Sequence, residues 1–182
     1  MLQHTEKAAI SVGINDAWRF ISDMANWAEN MPGYQSYEML NDTDSRWTLK
    51  VGVGALVKTV QELVHIEEWH EPSRVRISYR LENEPVDGHG HYEAERISDD
   101  EIDIALFVCV RGEGAMAPMW EAMAKPILPR LAHEFTRTLK ALTEASVSGG
   151  AQGEPVRKVT LFARLRSWLA NIVGVNQGRS AS

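Results

Sequence analysis

Only one of the 182 residues is a cysteine, Cys109, which excludes an intramolecular disulfide and any zinc site built from several cysteines. No stretch reaches the roughly 18 uninterrupted apolar residues of a membrane-spanning helix. The opening Met1-Leu2-Gln3-His4-Thr5-Glu6-Lys7 lacks the apolar core of a secretory signal, so a cytoplasmic location is expected. Internal repeats and long low-complexity tracts are missing too. The glycine pairs Gly52-Val53-Gly54 and Gly88-His89-Gly90 do not precede helices, as a phosphate-cradling loop must. They mark bends in curved strands instead.

Acid is missing from one region only. All 25 acidic residues lie at or before Glu154, whereas residues 155–182 carry Arg157, Lys158, Arg164, Arg166 and Arg179. Of 19 basic residues, 14 therefore share the first 154 positions with 25 acids, a net of −11, against +5 in the tail. An acidic body repels nucleic acid, whose binding depends on neutralising phosphates. A basic tail is attracted to anionic lipid or to an acidic partner.

A hydrophobic share of 44% and a charged share of 24% are those of a chain with a packed core. In residues 1–145 the apolar pattern is mostly of period two. Trp47, Leu49, Val51 and Val53 alternate with small or polar residues, as do Val75, Ile77, Tyr79 and Leu81, and Ile102 through Val110. Such strands have one buried and one wet face. Weaker strands are read at residues 34–41, 57–70 and 88–97. A first strand ends on Ala8, Ile10 and Val12. Asn15 is read as the cap of a short helix to Asp23, and a second helical turn runs from Met24 to the Met31-Pro32-Gly33 turn. From Met116 to Glu144 the spacing becomes helical, with Leu131, Phe135, Leu139 and Leu142 on one stripe, and Pro126 and Pro129 predict a kink or break. An α+β fold follows, in which one antiparallel sheet curls around one long helix.

The small, polar stretch 146–155 reads as a flexible linker. Residues 156–174 then form an amphipathic pattern. On a helical wheel begun at Arg157, the residues Leu161, Phe162, Leu165, Trp168, Leu169, Ile172 and Val173 fall between about 20° and 160°, flanked by Arg164 and Arg166. Lys158 falls inside this arc but sits in the first turn and can snorkel outward. This layout suits an interfacial helix at a membrane surface, with protein docking as the alternative. Residues 175–182 read as a disordered end.

His89 and His91 share one strand face, but their polar, glycine-rich setting gives no metal site. His65 and His70, five apart on a regular strand, are expected on opposite faces. Cys109 has no activating partner in any motif and reads as a buried structural thiol.

The element order, the Met31-Pro32-Gly33 turn and the Gly112-Glu113-Gly114 crossing into the last helix resemble the START and polyketide-cyclase (SRPBCC) superfamily, whose fold is the helix-grip. With the linker and tail, the chain is most similar there to the G-subunit family of carbon monoxide dehydrogenase. The resemblance implies about seven strands wrapped around the long C-terminal helix, and a cavity for a lipid-like molecule between them. It further implies recruitment of a molybdenum-containing dehydrogenase to the cytoplasmic membrane surface, with lipid or an isoprenoid quinone as ligand and no covalently bound cofactor.

Trp27, Met31, Trp47, Tyr79, Met116, Met119, Trp120, Met123 and Ile127 are the expected cavity residues, methionine being suited to irregular apolar ligands. Arg157, Lys158, Leu161, Phe162, Arg164, Leu165, Trp168, Leu169 and Ile172 are the expected membrane contacts. The expected role is noncatalytic. The alternative is a cyclase or dehydratase using Tyr79, Tyr92, Arg111 or His91 for acid–base work on an aromatic or polyketide-like substrate.

Overall fold

A computed structural model describes residues 1–53 and 56–148. The order is β1 (Leu2–Ile10), α1 (Ile14–Ile21), α2 (Met24–Asn30), β2 (Tyr34–Met39), β3 (Asp44–Val53), β4 (Leu56–His70), β5 (Arg74–Leu81), β6 (Val86–Arg96), β7 (Ile102–Gly112), a 3-10 turn (Gly114–Met116) and α3 (Ala117–Ser148). The seven strands form one antiparallel sheet in the order β1-β7-β6-β5-β4-β3-β2. Strands β2 to β7 are a simple meander. β1 and β2, neighbours in sequence, lie at opposite edges, and α1 and α2 carry the chain across. The concave face packs on α3, which gives the expected α+β helix-grip architecture.

Strand phase decides what enters the core. Ile102, Ile104 and Leu106 of β7 and Val75 and Ile77 of β5 are buried with Trp47, Leu49, Val60 and Val64 and with Phe135 and Leu139 of α3. The indole N–H of buried Trp47 donates to Ser45 Oγ at 2.8 Å, and that of Trp27 to the Ile21 carbonyl at 2.9 Å, so both rings enter the core with their polar atoms satisfied. Polar ties fasten α3 to β1: His133 Nδ1 pairs with Glu6 Oε1 at 2.9 Å, and the Ser11 amide donates to Glu144 Oε1 at 2.9 Å. The His133 bond, with a second from His4, holds the Glu6 carboxyl below its ordinary pKa.

Several local expectations are corrected. Gly13, not Asn15, caps α1, its carbonyl accepting from the Ala17 amide at 3.1 Å. α2 is capped by Asp23, whose Oδ1 accepts from the Ala25 amide at 2.9 Å. α3 runs unbroken through Pro126 and Pro129. Burial of Trp120 before them and of Leu128, Ala132, Phe135 and Leu139 after them holds the segment helical despite two missing amide donors. The helix continues to Ser148, so the first three residues of the expected linker belong to it, while the rest of that linker and the tail lie outside the described residues. A bulge between Ile66 and Glu68 shifts the phase of β4. His65 then pairs with Ser78 and His70 with Arg74, and both histidines stand on the convex face.

The Pro-Gly turn is a fixed point of the sheet. Gly33 has φ +85°, and a Cβ there would lie 2.2 Å from the Lys50 carbonyl oxygen. Its own carbonyl accepts from the Lys50 amide at 2.8 Å, which starts the β2–β3 pairing. Gly33→Ala is expected to cost at least about 2 kcal/mol, from the left-handed backbone and the backbone clash together. Urea denaturation checks this, and a loss below about 0.5 kcal/mol would show that the turn relaxes freely.

Candidate functional site

A cavity of about 200 Å³ lies between the concave face of the sheet and α3. α2 contributes Trp27 and Met31, β3 contributes Trp47, Leu49 and Val51, and β4 contributes Val60 and Glu62. β5 brings Ile77, Tyr79 and Leu81, β6 and β7 bring Val86, Leu106, Val108 and Val110, and α3 closes it from Trp120 to Phe135. Nearly all of this surface is apolar. Both walls mix large and small residues, Trp47 and Tyr79 with Val51 and Gly90 on the sheet and Trp120 and Phe135 with Ala124 and Ala132 on α3, and the helix does not fill the curve.

Seven of the nine expected cavity residues surround this space: Trp27, Met31, Trp47, Tyr79, Trp120, Met123 and Ile127. Met116 and Met119 do not. They are 46% and 43% exposed, because Met116 belongs to the 3-10 turn before α3 and Met119 points about 100° away from inward-facing Trp120. The expected membrane residues, Arg157 to Ile172, lie outside the described residues.

The proposed acid–base set does not converge. Only Tyr79 reaches the cavity walls with its side chain. Tyr92 is fully buried in the core, its ring 6.4 Å from that of Trp27. Arg111 is on the convex face, where Nε and Nη2 bind both carboxylate oxygens of Asp87 at 2.9 and 2.5 Å. The His91 ring stacks on Phe107 at 4.8 Å, opposite exposed Arg76 in register, and so also stands on the convex face. It borders the cavity next to Gly90, whose missing side chain leaves strand backbone bare. Cys109 is buried, and burial pushes its thiol pKa up.

Glycine shapes the far wall. A Cβ on Gly88 would meet the Cys109 carbonyl oxygen at 2.1 Å and the Tyr79 ring at 2.5 Å. Without one, the Tyr79 ring crosses β6 and its hydroxyl donates to the Cys109 carbonyl at 2.7 Å. The phenol proton is thereby committed, and burial with the nearby Glu62 charge holds the Tyr79 pKa well above its ordinary value.

Glu62 is the residue that sequence reasoning missed. It lies in register with Trp47 and Leu81, so its side chain points to the concave face. It is deep in the protein although its surface is not fully covered, because the area it shows is cavity wall. No described residue hydrogen-bonds its carboxyl, and burial alone pushes its pKa up to about 7. The signal is present in the chain: in Val60-Gln61-Glu62-Leu63-Val64 the acid occupies the phase of two buried valines. At the rim, Lys58 pairs with Glu84 and lies over the Trp120 ring, 5.3 Å from its centroid.

A larger depression of about 810 Å³ is present on the convex face. Its charges are largely paired, Asp44 with His65 at 2.8 Å and Asp87 with Arg111, and it is polar and open. The apolar cavity between sheet and helix is the better candidate site.

A helix-grip fold with an apolar cavity defines a hydrophobic small-molecule binding class. Residues 1–145 match the model of the "Polyketide cyclase / dehydrase and lipid transport" family, and the chain belongs to that family. No curated protein matches the sequence. Among solved structures, a conserved protein from Geobacillus kaustophilus is similar with a TM-score of 0.69 at 15% identity, covering 80% of this chain and 97% of that one. The Zhui aromatase/cyclase from Streptomyces sp. R1128 has a TM-score of 0.60 at 13% identity, covering 84% and 99%. A START superfamily protein from Mycobacterium smegmatis has a TM-score of 0.57 at 11% identity, covering 77% and 98%. These likenesses establish the fold.

The raised pKa of Glu62 has a signed consequence. An acid that titrates higher in the folded than in the unfolded chain binds more protons when folded, so stability falls as pH rises between the two values. The window runs from the ordinary 4.5 to about 7, and above it the full cost applies, on the order of 3 kcal/mol. Glu62→Gln removes this titration. Urea denaturation at pH 4.5 and pH 8 should show wild type losing that much relative to Glu62→Gln, and parallel pH dependences would place the carboxyl in contact with solvent.

Proposed function

We propose that the protein is a carrier for one largely apolar small molecule, held between the sheet and α3 with its polar end at Glu62. The observation that carries this reading is the Glu62 carboxyl, without a partner among the described residues, in a largely apolar cavity. Burying a charge without a partner costs several kcal/mol, and a ligand that supplies the partner recovers that cost. The family's description supports a lipid-like molecule, and an isoprenoid quinone is what the resemblance to the G-subunit family adds.

Delivery at the cytoplasmic membrane surface, in support of a molybdenum-containing dehydrogenase, is the finer part of this reading. It rests on the acid-free amphipathic segment 156–174, with its +5 tail beside a −11 body. Removal of residues 149–182 should abolish cosedimentation with anionic phospholipid vesicles and leave the melting transition of the domain in place. Equal sedimentation of both forms would take the anchor role away from the tail.

A second reading is favoured by one observation: a carboxyl titrating near neutrality beside Tyr79 suits proton transfer in a cyclase or dehydratase. Native mass spectrometry of full-length protein purified gently from its own host separates the two. A retained apolar molecule, released intact by organic extraction, supports the carrier. Ala124→Phe, which fills cavity space from α3, should then cut retention at least tenfold. An empty protein that converts an aromatic or polyketide-like substrate, and loses this in Glu62→Gln, would replace the carrier by the enzyme.

A further inference from the structure

With Glu62 ionised, the cavity's head-group partners are hydrogen-bond acceptors. The Tyr79 hydroxyl donates its hydrogen bond to the Cys109 carbonyl and has only an oxygen lone pair left to offer. The Trp120 indole N–H is unpartnered but sealed off by surrounding protein, so it offers no donor to the cavity. The Glu62 carboxyl, open to the cavity, accepts nothing from the described residues.

Among the described residues, no charge of the opposite sign lines the cavity. The lining residues of α2, β3, β7 and α3 are uncharged, β5 brings only Tyr79, and β6 brings His91 with its ring on the convex face. Lys58, on the same strand four residues from Glu62, is occupied at the rim by Glu84 and Trp120. Beside the carboxyl, Trp47 stands in register and Tyr79 is close enough to feel its charge, and Trp27, Trp120 and Phe135 line the same cavity.

A carboxylate in an apolar cavity whose walls include aromatic rings, with no cation beside it among the described residues, is the chemistry that recognises an ammonium group. We infer that the ligand is a lipophilic amine, with its ammonium on the Glu62 carboxylate among the aromatic rings and its apolar part along α3. This inference rests on the carrier reading and names its ligand. With Glu62 ionised, an acceptor-only head such as a quinone meets two acceptors and bonds the carboxyl only in its protonated form, a fatty acid meets like charge, and an alcohol donates one bond but leaves the carboxylate without a countercharge. The net of −11 over residues 1–154 draws cations toward the body.

The affinity of such a ligand depends on pH in one direction. An alkylammonium keeps its proton across the neutral range, as lysine does. Glu62 must lose its proton to pair, and pairing moves its pKa back down. Affinity therefore falls about tenfold per pH unit below the free-cavity value of about 7 and is level above it.

The test uses full-length protein and its own tryptophan fluorescence, titrated with octylamine, 1-octanol and octanoate from pH 5.5 to 8.5. Octylamine should bind at least tenfold more tightly than 1-octanol at pH 8, with octanoate weakest. Glu62→Gln should lose both the amine preference and the pH dependence while still binding 1-octanol. Equal affinity for octylamine and 1-octanol in wild type, or an unchanged preference in Glu62→Gln, overturns the amine and leaves the carrier. No saturable binding of any of the three overturns the cavity as a ligand site, and the amine with it.

Discussion

A sheet of seven strands bent into a grip has more apolar concave surface than one helix can cover, and this mismatch sets the rest of the structure. α3 joins the core at Phe135 and Leu139, Phe135 also forming the end of the cavity wall. Toward its N-terminal half the sheet curves away and the gap becomes the cavity. α1 and α2 cannot fill that gap, because they are committed to carrying the chain from one sheet edge to the other. Trp27 is the part of this crossover that reaches inward, and it lines the cavity with its indole N–H already satisfied.

Within this frame the placement of polar groups is selective. Trp27 and Trp47 each find a nearby acceptor, and Tyr79 reaches across a glycine to a backbone carbonyl two strands away. The fold thus satisfies three large polar side chains at some geometric cost, yet leaves Glu62 with none. A glutamine or leucine at that position would be easier to bury. Tyr92, Trp120 and Thr136 also bury a polar atom without a partner, but these are neutral, and the functional reading begins at the one that ionises.

The architecture is legible in the chain because strand alternation is a strong signal wherever one face is wet. Residues 47–53, 75–81 and 102–110 show it, and the structure has β3, β5 and β7 there. Where sequence and structure part, the cause is local. The two prolines of α3 remove donors but cannot outweigh burial on either side of them. The phase shift in β4 depends on a bulge, which has no glycine or proline to announce it, so the alternation rule puts His65 and His70 on opposite faces when they share one. In the site, bulk and helical spacing locate Trp120, Met123 and Ile127 but also draw in Met116 and Met119, since hydrophobicity does not say which side of a helix start is covered. Glu62 escapes notice because an acid reads as surface charge, although its strand phase matches that of buried valines.

The position of β1 also bears on how the domain assembles during synthesis. It is the first element made, yet it pairs with β7, Leu2 opposite Val110, and its far end is tied to α3 through His133 and Glu144. Contacts of such long sequence separation are slow to form because the intervening chain must first be ordered. While the meander β2 to β7 emerges and pairs locally, β1 has no neighbour, and the concave face has no lid until α3 is complete. The wall that encloses the cavity is thus the last part to be laid down. A bound molecule that bridges sheet and helix would slow the reopening of α3, so occupancy and kinetic persistence of the fold are coupled through the same late-forming contacts.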